Sequence, residues 1–325
     1  MTKKYQSKST TKYKSRRLLI MKLAMIGLGK MGANMVRRLS RDKHEIVTYD
    51  VSHQAATDLE KELTGVEAVD DLKTLLDKLP LPRVVWLMVP HQCVDSMIDA
   101  LLSNGLSADD VVIDGGNSNF KLSQQRGERL AQSAIHFIDS GTSGGVWGLE
   151  NGYSLMVGGS EAAIKIVEPV LQSLAPASDM GWGHVGPVGA GHYVKMVHNG
   201  IEYGMMQAFA EGFELMKHKS EMNLDVHQVS RIWQHGSVVR SWLLDLIADS
   251  LEQDVDMRAL SDFVDDSGEG RWVVQDSIES AVPAPVLTLA LQMRFRSRQD
   301  PSYAGKVLNA MRAGFGGHLI KPAET

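Results

Sequence analysis

Three polar side chains at intervals of about one helical turn are the first place where this sequence shows chemistry. Lys195, Asn199 and Glu202 stand at i, i+4 and i+7 in the run GAGHYVKMVHNGIEY, residues 189–203. In a helix that spacing puts an amine, an amide and a carboxylate on one face, and His198 joins them at i+3 from the lysine. The pattern also describes a solvated charged face, but Gly200 and the neighbouring Val194, Met196 and Val197 point to a partly buried helix. Burial lowers a lysine pKa and raises a glutamate pKa, so each group can exchange a proton near neutrality.

A second constellation lies near the start. Gly27-Leu28-Gly29-Lys30-Met31-Gly32 follows an apolar strand-like run and opens a helical pattern, a context that makes the glycine spacing specific. The first glycine allows a tight turn, the second lets backbone approach a pyrophosphate, and the third packs helix on strand. The helix start then offers unpaired N–H groups to phosphate oxygens. Asp50 ends the next strand-like run, where a carboxylate accepts from both hydroxyls of an adenosine ribose and repels a 2′-phosphate. No arginine follows it in Val51-Ser52-His53, so NAD is expected rather than NADP. Met88, Val89 and Pro90 close a further strand at the sheet edge where such ligands lie. Two polar loops also end strands, Ile113–Ser118 and Ser140–Gly145, and their amides and hydroxyls suit a substrate carboxylate or hydroxyl. Each loop alone is equally compatible with an ordinary turn.

The elements that must position these groups follow from periodicity. Apolar runs at Lys22–Ile26, Glu45–Tyr49, Arg83–Val89, Val111–Ile113, His136–Ile138 and Tyr153–Val157 alternate with helical patterns at Met31–Ser40, Val94–Leu102 and Leu122–Ala134. Such alternation signals an α/β, doubly wound, Rossmann-like domain. After Gly191 long amphipathic segments take over, such as His192–Lys217 and Val226–Ile247, so an all-α C-terminal domain is expected. The expected organisation is a disordered basic tail over 1–20, a dinucleotide-binding domain over 21–188, and a helical substrate and oligomerisation domain over 189–325.

Composition narrows the partners. The 325 residues carry a net charge of −5, yet residues 1–20 hold seven Lys or Arg and no acid, leaving 27 basic against 39 acidic residues in the rest. An acidic body does not favour nucleic acid or an anionic membrane. The single cysteine, Cys93, excludes an intrachain disulfide and fits a reducing cytoplasm. The histidines show no metal-ligand spacing, and the apolar stretch Leu18–Leu28 is too short to span a bilayer. The Ser/Thr-rich tail reads as an extension from an upstream start rather than a transit peptide, with Met21 at the head of the first strand.

Taken together the motifs resemble the 6-phosphogluconate dehydrogenase family, within the β-hydroxyacid dehydrogenase superfamily, from Met21 nearly to the C-terminus. The residues that carry the likeness are IDGGNS at 113–118, SGTSGG at 140–145, HYVKMVHNGIEY at 192–203 and RAGFGGH at 312–318. The resemblance implies oxidative decarboxylation of 6-phosphogluconate to ribulose 5-phosphate and carbon dioxide, with no metal. Lys195 would take the proton of the C3 hydroxyl and then stabilise the oxygen charge during decarboxylation, and Glu202 would protonate C1. Asn117, Ser143, Gly144, Gly145, His198 and Asn199 would hold the sugar acid, with Asn117 also near the cofactor. Tyr203, Arg294 and Arg312 would bind the phosphate and His318 would complete the pocket. In the family the tail arginine and histidine come from a neighbouring subunit, so a homo-oligomer is implied.

Departures point to the short, largely bacterial, NAD-linked branch. Ser267-Gly268-Glu269-Gly270-Arg271-Trp272 stands where long members read Lys-Gly-Thr-Gly-Lys-Trp, and Ser-Gly-Gly-Val-Trp-Gly where they read Ser-Gly-Gly-Glu-Glu-Gly. Two other functions fit parts of the pattern. A dehydrogenase of an unphosphorylated 3-hydroxy acid would share the turn and the lysine, and a silent dinucleotide sensor would need the turn alone.

Overall fold

The structure, a computed structural model, describes residues 19–299 and 302–316. Most of the basic tail expected over 1–20 lies outside these. The chain divides into two compact units, one running to Lys195 and the other starting at Met196.

The first unit is built on an eight-stranded sheet. Its strands are β1 (Lys22–Ile26), β2 (Glu45–Tyr49), β3 (Val66–Ala68), β4 (Val84–Leu87), β5 (Val111–Asp114), β6 (His136–Ser143), β7 (Ser154–Gly158) and β8 (Trp182–Gly186). They lie in the order β3-β2-β1-β4-β5-β6-β7-β8, parallel throughout except for the antiparallel pair β6 and β7. Every residue of β4 and β5 is buried, as a parallel strand covered on both faces requires. The two-residue period of β1 divides its side chains between two cores. Leu23 and Met25 pack with Met35 and Leu39 of α1 (Lys30–Arg41), while Ala24 and Ile26 face the other way.

Six further helices complete these layers. Helix α2 (His53–Glu62) contributes Ala56 and Leu59 to the first core, whereas α3 (Leu72–Asp77), α4 (Val94–Ser103) and α5 (Phe120–Ala131) line the second. A four-residue turn, α6 (Gly148–Asn151), precedes β7, and α7 (Glu161–Leu174) returns to the first core. The expected Rossmann-like architecture is thus present. Sequence periodicity placed β1 and β2 at their observed bounds but found neither β3 nor β8. It also ended β6 at Ile138, whereas the strand continues through Ser140-Gly141-Thr142-Ser143, paired with Val157 to Ser154 of β7.

The second unit is helical among its described residues. It takes most of α8 (Ala190–His218), then α9 (Val226–Trp233), α10 (Trp242–Gln253), α11 (Glu269–Glu279), α12 (Pro285–Ser297) and α13 (Tyr303–Gly316). The single amphipathic segment expected over Val226–Ile247 is two helices. Gly236, at φ +75°, breaks the run, and the Ser241 side chain accepts from Leu244 N to start α10.

Candidate active site

The three glycines of the turn have three different surroundings. A Cβ on Gly27 would stand 2.6 Å from Met88 O, and one on Gly32 would stand 2.0 Å from Gly27 O, so both positions are closed by backbone. Around Gly29 nothing lies within 4 Å of a Cβ, and no side chain caps the helix that starts there. Leu28 is buried, while Gly29 and Lys30 are exposed and Met31 is partly so. An open, uncapped helix start of this kind fits a dinucleotide pyrophosphate.

Asp50, just after β2, holds this turn directly. Its Oδ2 accepts from Leu28 N at 2.6 Å and its Oδ1 from Ser52 N at 2.8 Å. Each oxygen retains a second lone pair with which to receive a ribose hydroxyl. His53 Nδ1 lies 2.9 Å from Asp70 Oδ1, which ties the imidazole to a carboxylate. Met88 and Val89 line the turn where β4 ends, and Pro90 beside them is exposed. A Cβ on Gly116 would stand 2.9 Å from Val89 O, so the loop after β5 closes on the same edge.

That loop is held from below by buried charge. Asp114 accepts from Gly116 N at 3.1 Å, Ser118 Oγ at 2.7 Å and Arg126 Nη1 at 3.1 Å. Arg126 on α5 also grips Asp95 through two bonds of 2.9 and 2.7 Å. Burial opposes the charge of Arg126, but its bonds to Asp95 and Asp114 outweigh it and raise the guanidinium pKa. The Arg126 hydrogen bond draws the Asp95 carboxyl below its usual range. With its neighbours fixed, Asn117 is the residue of this loop left exposed.

Lys195 sits where α8 meets β6. It is 9% exposed, and a Cβ on Gly141 would stand 2.4 Å from Lys195 Cβ. A Cβ on Gly191 would likewise meet Asp139 O and Met156 O, each at 2.4 Å. Asp139, wholly buried, accepts from Gly189 N at 2.6 Å and His192 N at 2.7 Å and so binds the first turn of α8 to the strand. His192 Nδ1 bonds Ser123 Oγ at 2.7 Å. The strand that seats the lysine continues into Ser143, Gly144 and Gly145, the last two at φ +133° and +51°.

In the second unit, α8 carries His198, Asn199, Glu202 and Tyr203. His198 Nδ1 is 3.1 Å from Asn199 Oδ1 and 3.8 Å from Glu202 Oε2. Asn199 is buried and the Glu202 side chain is 41% exposed. The Arg294 guanidinium lies 3.6 Å above the Tyr203 ring and donates to Asp265 O at 2.6 Å. Tyr203 Oη accepts from Ser267 N at 3.2 Å. Arg271 is clasped by Asp266 at 2.7 Å, and Arg298 reaches the same carboxylate at 2.5 Å. The bond from Arg271 leads in holding Asp266 down to about 2. Arg312 falls in α13, and His318 lies outside the described residues.

Sequence reasoning did not find Asp139, Asp114 or Arg126 as supports of these loops. The available signal was an acidic residue within or at the end of a buried strand, which the pattern shows for both aspartates.

A doubly wound sheet with an open glycine turn, followed by a helical unit, has the architecture of a dinucleotide-binding protein. Residues 22–184 match the family described as the NAD binding domain of 6-phosphogluconate dehydrogenase, and 191–319 match its C-terminal domain. The chain belongs to the 6-phosphogluconate dehydrogenase family. It is 42% identical over 302 residues to the NAD(+)-dependent, decarboxylating 6-phosphogluconate dehydrogenase of Haloferax volcanii, covering 92% of this chain and 98% of that one. To the NADP(+)-dependent decarboxylating enzyme of Bacillus subtilis it is 34% identical, covering 85% of this chain and 61% of that one. The solved Plasmodium falciparum 6-phosphogluconate dehydrogenase superposes with a TM-score of 0.79 at 29% identity, over 94% of this chain and 67% of that one.

Proposed function

We propose that this chain oxidises and decarboxylates 6-phosphogluconate to ribulose 5-phosphate and carbon dioxide, with NAD as the electron acceptor. The observation that carries this reading is the seating of Lys195, a nearly buried lysine whose Cβ packs on Gly141 of the strand that runs into the Ser143–Gly145 loop. A bound nicotinamide supplies the electron acceptor for C3. Lys195 takes the C3 hydroxyl proton and, once protonated, offers its charge to the oxygen that becomes negative as carbon dioxide leaves. Glu202 delivers the proton to C1. Asn117, the Ser143–Gly145 amides, His198 and Asn199 orient the sugar acid, and Tyr203 with Arg294 receives its phosphate.

Support for NAD over NADP comes from the Asp50 carboxylate at the turn. Among the described residues there is no candidate metal cluster, and no helix is long and apolar enough to cross a membrane. The lone Cys93 supports a cytoplasmic setting. A homo-oligomer, in which Arg312 and His318 would complete a neighbour's site, is supported as an assembly by apolar surface on the helical unit. That surface includes a groove of about 610 Å³ lined by Met205, Phe209, Phe213, Trp233 and Val239. Steady-state assays with 6-phosphogluconate and each cofactor test the reading. NADH and carbon dioxide should form in equal amounts, with a lower KM for NAD than for NADP, and absence of turnover with both cofactors would refute it.

A further inference from the structure

The glycine turn and the Ser143–Gly145 loop leave strands that are not neighbours, β1 and β6. One guanidinium nevertheless joins the helix after β1 to the helices beyond β6. Arg38, on α1, donates from Nε to Ser173 O and Leu174 O, both at 3.0 Å, and from Nη2 to Ala175 O at 2.5 Å. Its Nη1 reaches Leu149 O at 3.2 Å. A single cation thereby satisfies carbonyls at the C-terminal end of α7 and in α6, where unpaired acceptors and negative dipole ends collect.

Two more residues of α1 act on the same loop. Arg41 donates to Leu149 O at 2.9 Å and to Glu150 Oε1 at 2.7 Å, and Asn34 Nδ2 lies 3.4 Å from Val146 O. Positions 34, 38 and 41 form one face of the helix. The loop they hold has glycines in left-handed conformations at both ends, Gly144 and Gly145 before it and Gly152, at φ +81°, after it. Between these hinges Val146 and Trp147 are 54% and 55% exposed, although their backbone is tethered.

We propose that Arg38 is a positioning residue that latches the Gly144–Gly152 loop to the cofactor helix, so that a dinucleotide at the glycine turn orders the loop receiving the sugar acid. The substrate half of this role rests on the function proposed above. The cofactor half rests on the turn alone. A lysine at position 38 keeps the charge but lacks the planar fork that spans two helix ends.

Hydrogen exchange of residues 145–151 in the full-length protein, with and without NADH, tests the latch. In the wild type NADH should slow these amides by about tenfold or more. In Arg38→Lys that protection should fall below about twofold while the NADH Kd stays within about threefold. Undiminished protection in the variant, or none in the wild type, overturns the proposal. So does exchange in the variant that speeds up by the same factor with and without NADH, leaving the NADH protection intact, since that is the behaviour of a simple helix cap. If Arg38→Lys does not fold, Arg41→Met, at a half-exposed position, decides by the same measure and should lose at least about half of the protection. The KM for 6-phosphogluconate should rise about tenfold in Arg38→Lys. A wild type that protects the loop with NADH yet does not turn over 6-phosphogluconate refutes the substrate reading and leaves the latch standing.

Discussion

At the scale of single residues, the site depends on what is missing next to Lys195. Gly141 and Gly191 lack side chains where α8 descends on β6, and the lysine backbone is brought to the strand in consequence. Replacing Lys195 with Met keeps the length and removes the amine proposed to accept the C3 hydroxyl proton. Stopped-flow and steady-state kinetics should show kcat reduced by about 10²- to 10⁴-fold with NADH affinity unchanged, because general base catalysis is lost and the glycine turn is untouched. A rate comparable to wild type would return the dinucleotide-sensor reading to consideration. The places of Lys195 and Glu202 on α8 and of Asp50 just after β2 were legible in the sequence, because helix period and strand end give them an address. Asp139 was not, since its role is to accept from Gly189 N and His192 N, some fifty positions along the chain.

Elements show the same division between local and distant causes. The bounds of β1 and β2 follow from short apolar runs on either side of the helical pattern Met31–Ser40. The second half of β6 is polar and glycine-rich, and only its antiparallel partner β7 makes it a strand. β8 reads Trp-Gly-His-Val-Gly, which has no alternation to recognise and is ordered by pairing with β7. In the helical unit, Asp266 joins the segment before α11 to α12 through Arg271 and Arg298. Its carboxyl is held at about 2 against a usual 3.8, the hydrogen bond from Arg271 being the leading cause. A depressed carboxylate stabilises the fold above its unfolded pKa, and this contribution is lost as pH falls through the folded value. Asp266→Asn should therefore melt several degrees below wild type at pH 7, with the gap narrowing as the pH falls from about 4 towards about 2. A gap independent of pH in differential scanning calorimetry would mean that the carboxylate charge is not what Arg271 and Arg298 hold.

On the scale of the whole molecule, the helical unit carries apolar side chains in water that a lone chain has no use for. Ile201, Leu215, Met222, Ile232, Leu260, Ile278, Val286 and Leu289 are each more than a third exposed. Burial of such a surface stabilises an assembly by roughly 25 cal/mol per Å², so a stable oligomer is expected. Sedimentation velocity should find an assembled species down to about 0.1 μM, and a monomer at about 10 μM would contradict it. The glycine turn, finally, separates two kinds of constraint on descent. Positions 27 and 32 are closed by the protein's own backbone, so any lineage that keeps this fold must keep them whether or not it binds anything. Position 29 has a backbone any residue can adopt, at φ −60°, and empty space around it, so only a ligand forbids change there. A descendant that had abandoned its cofactor would therefore drift first at 29.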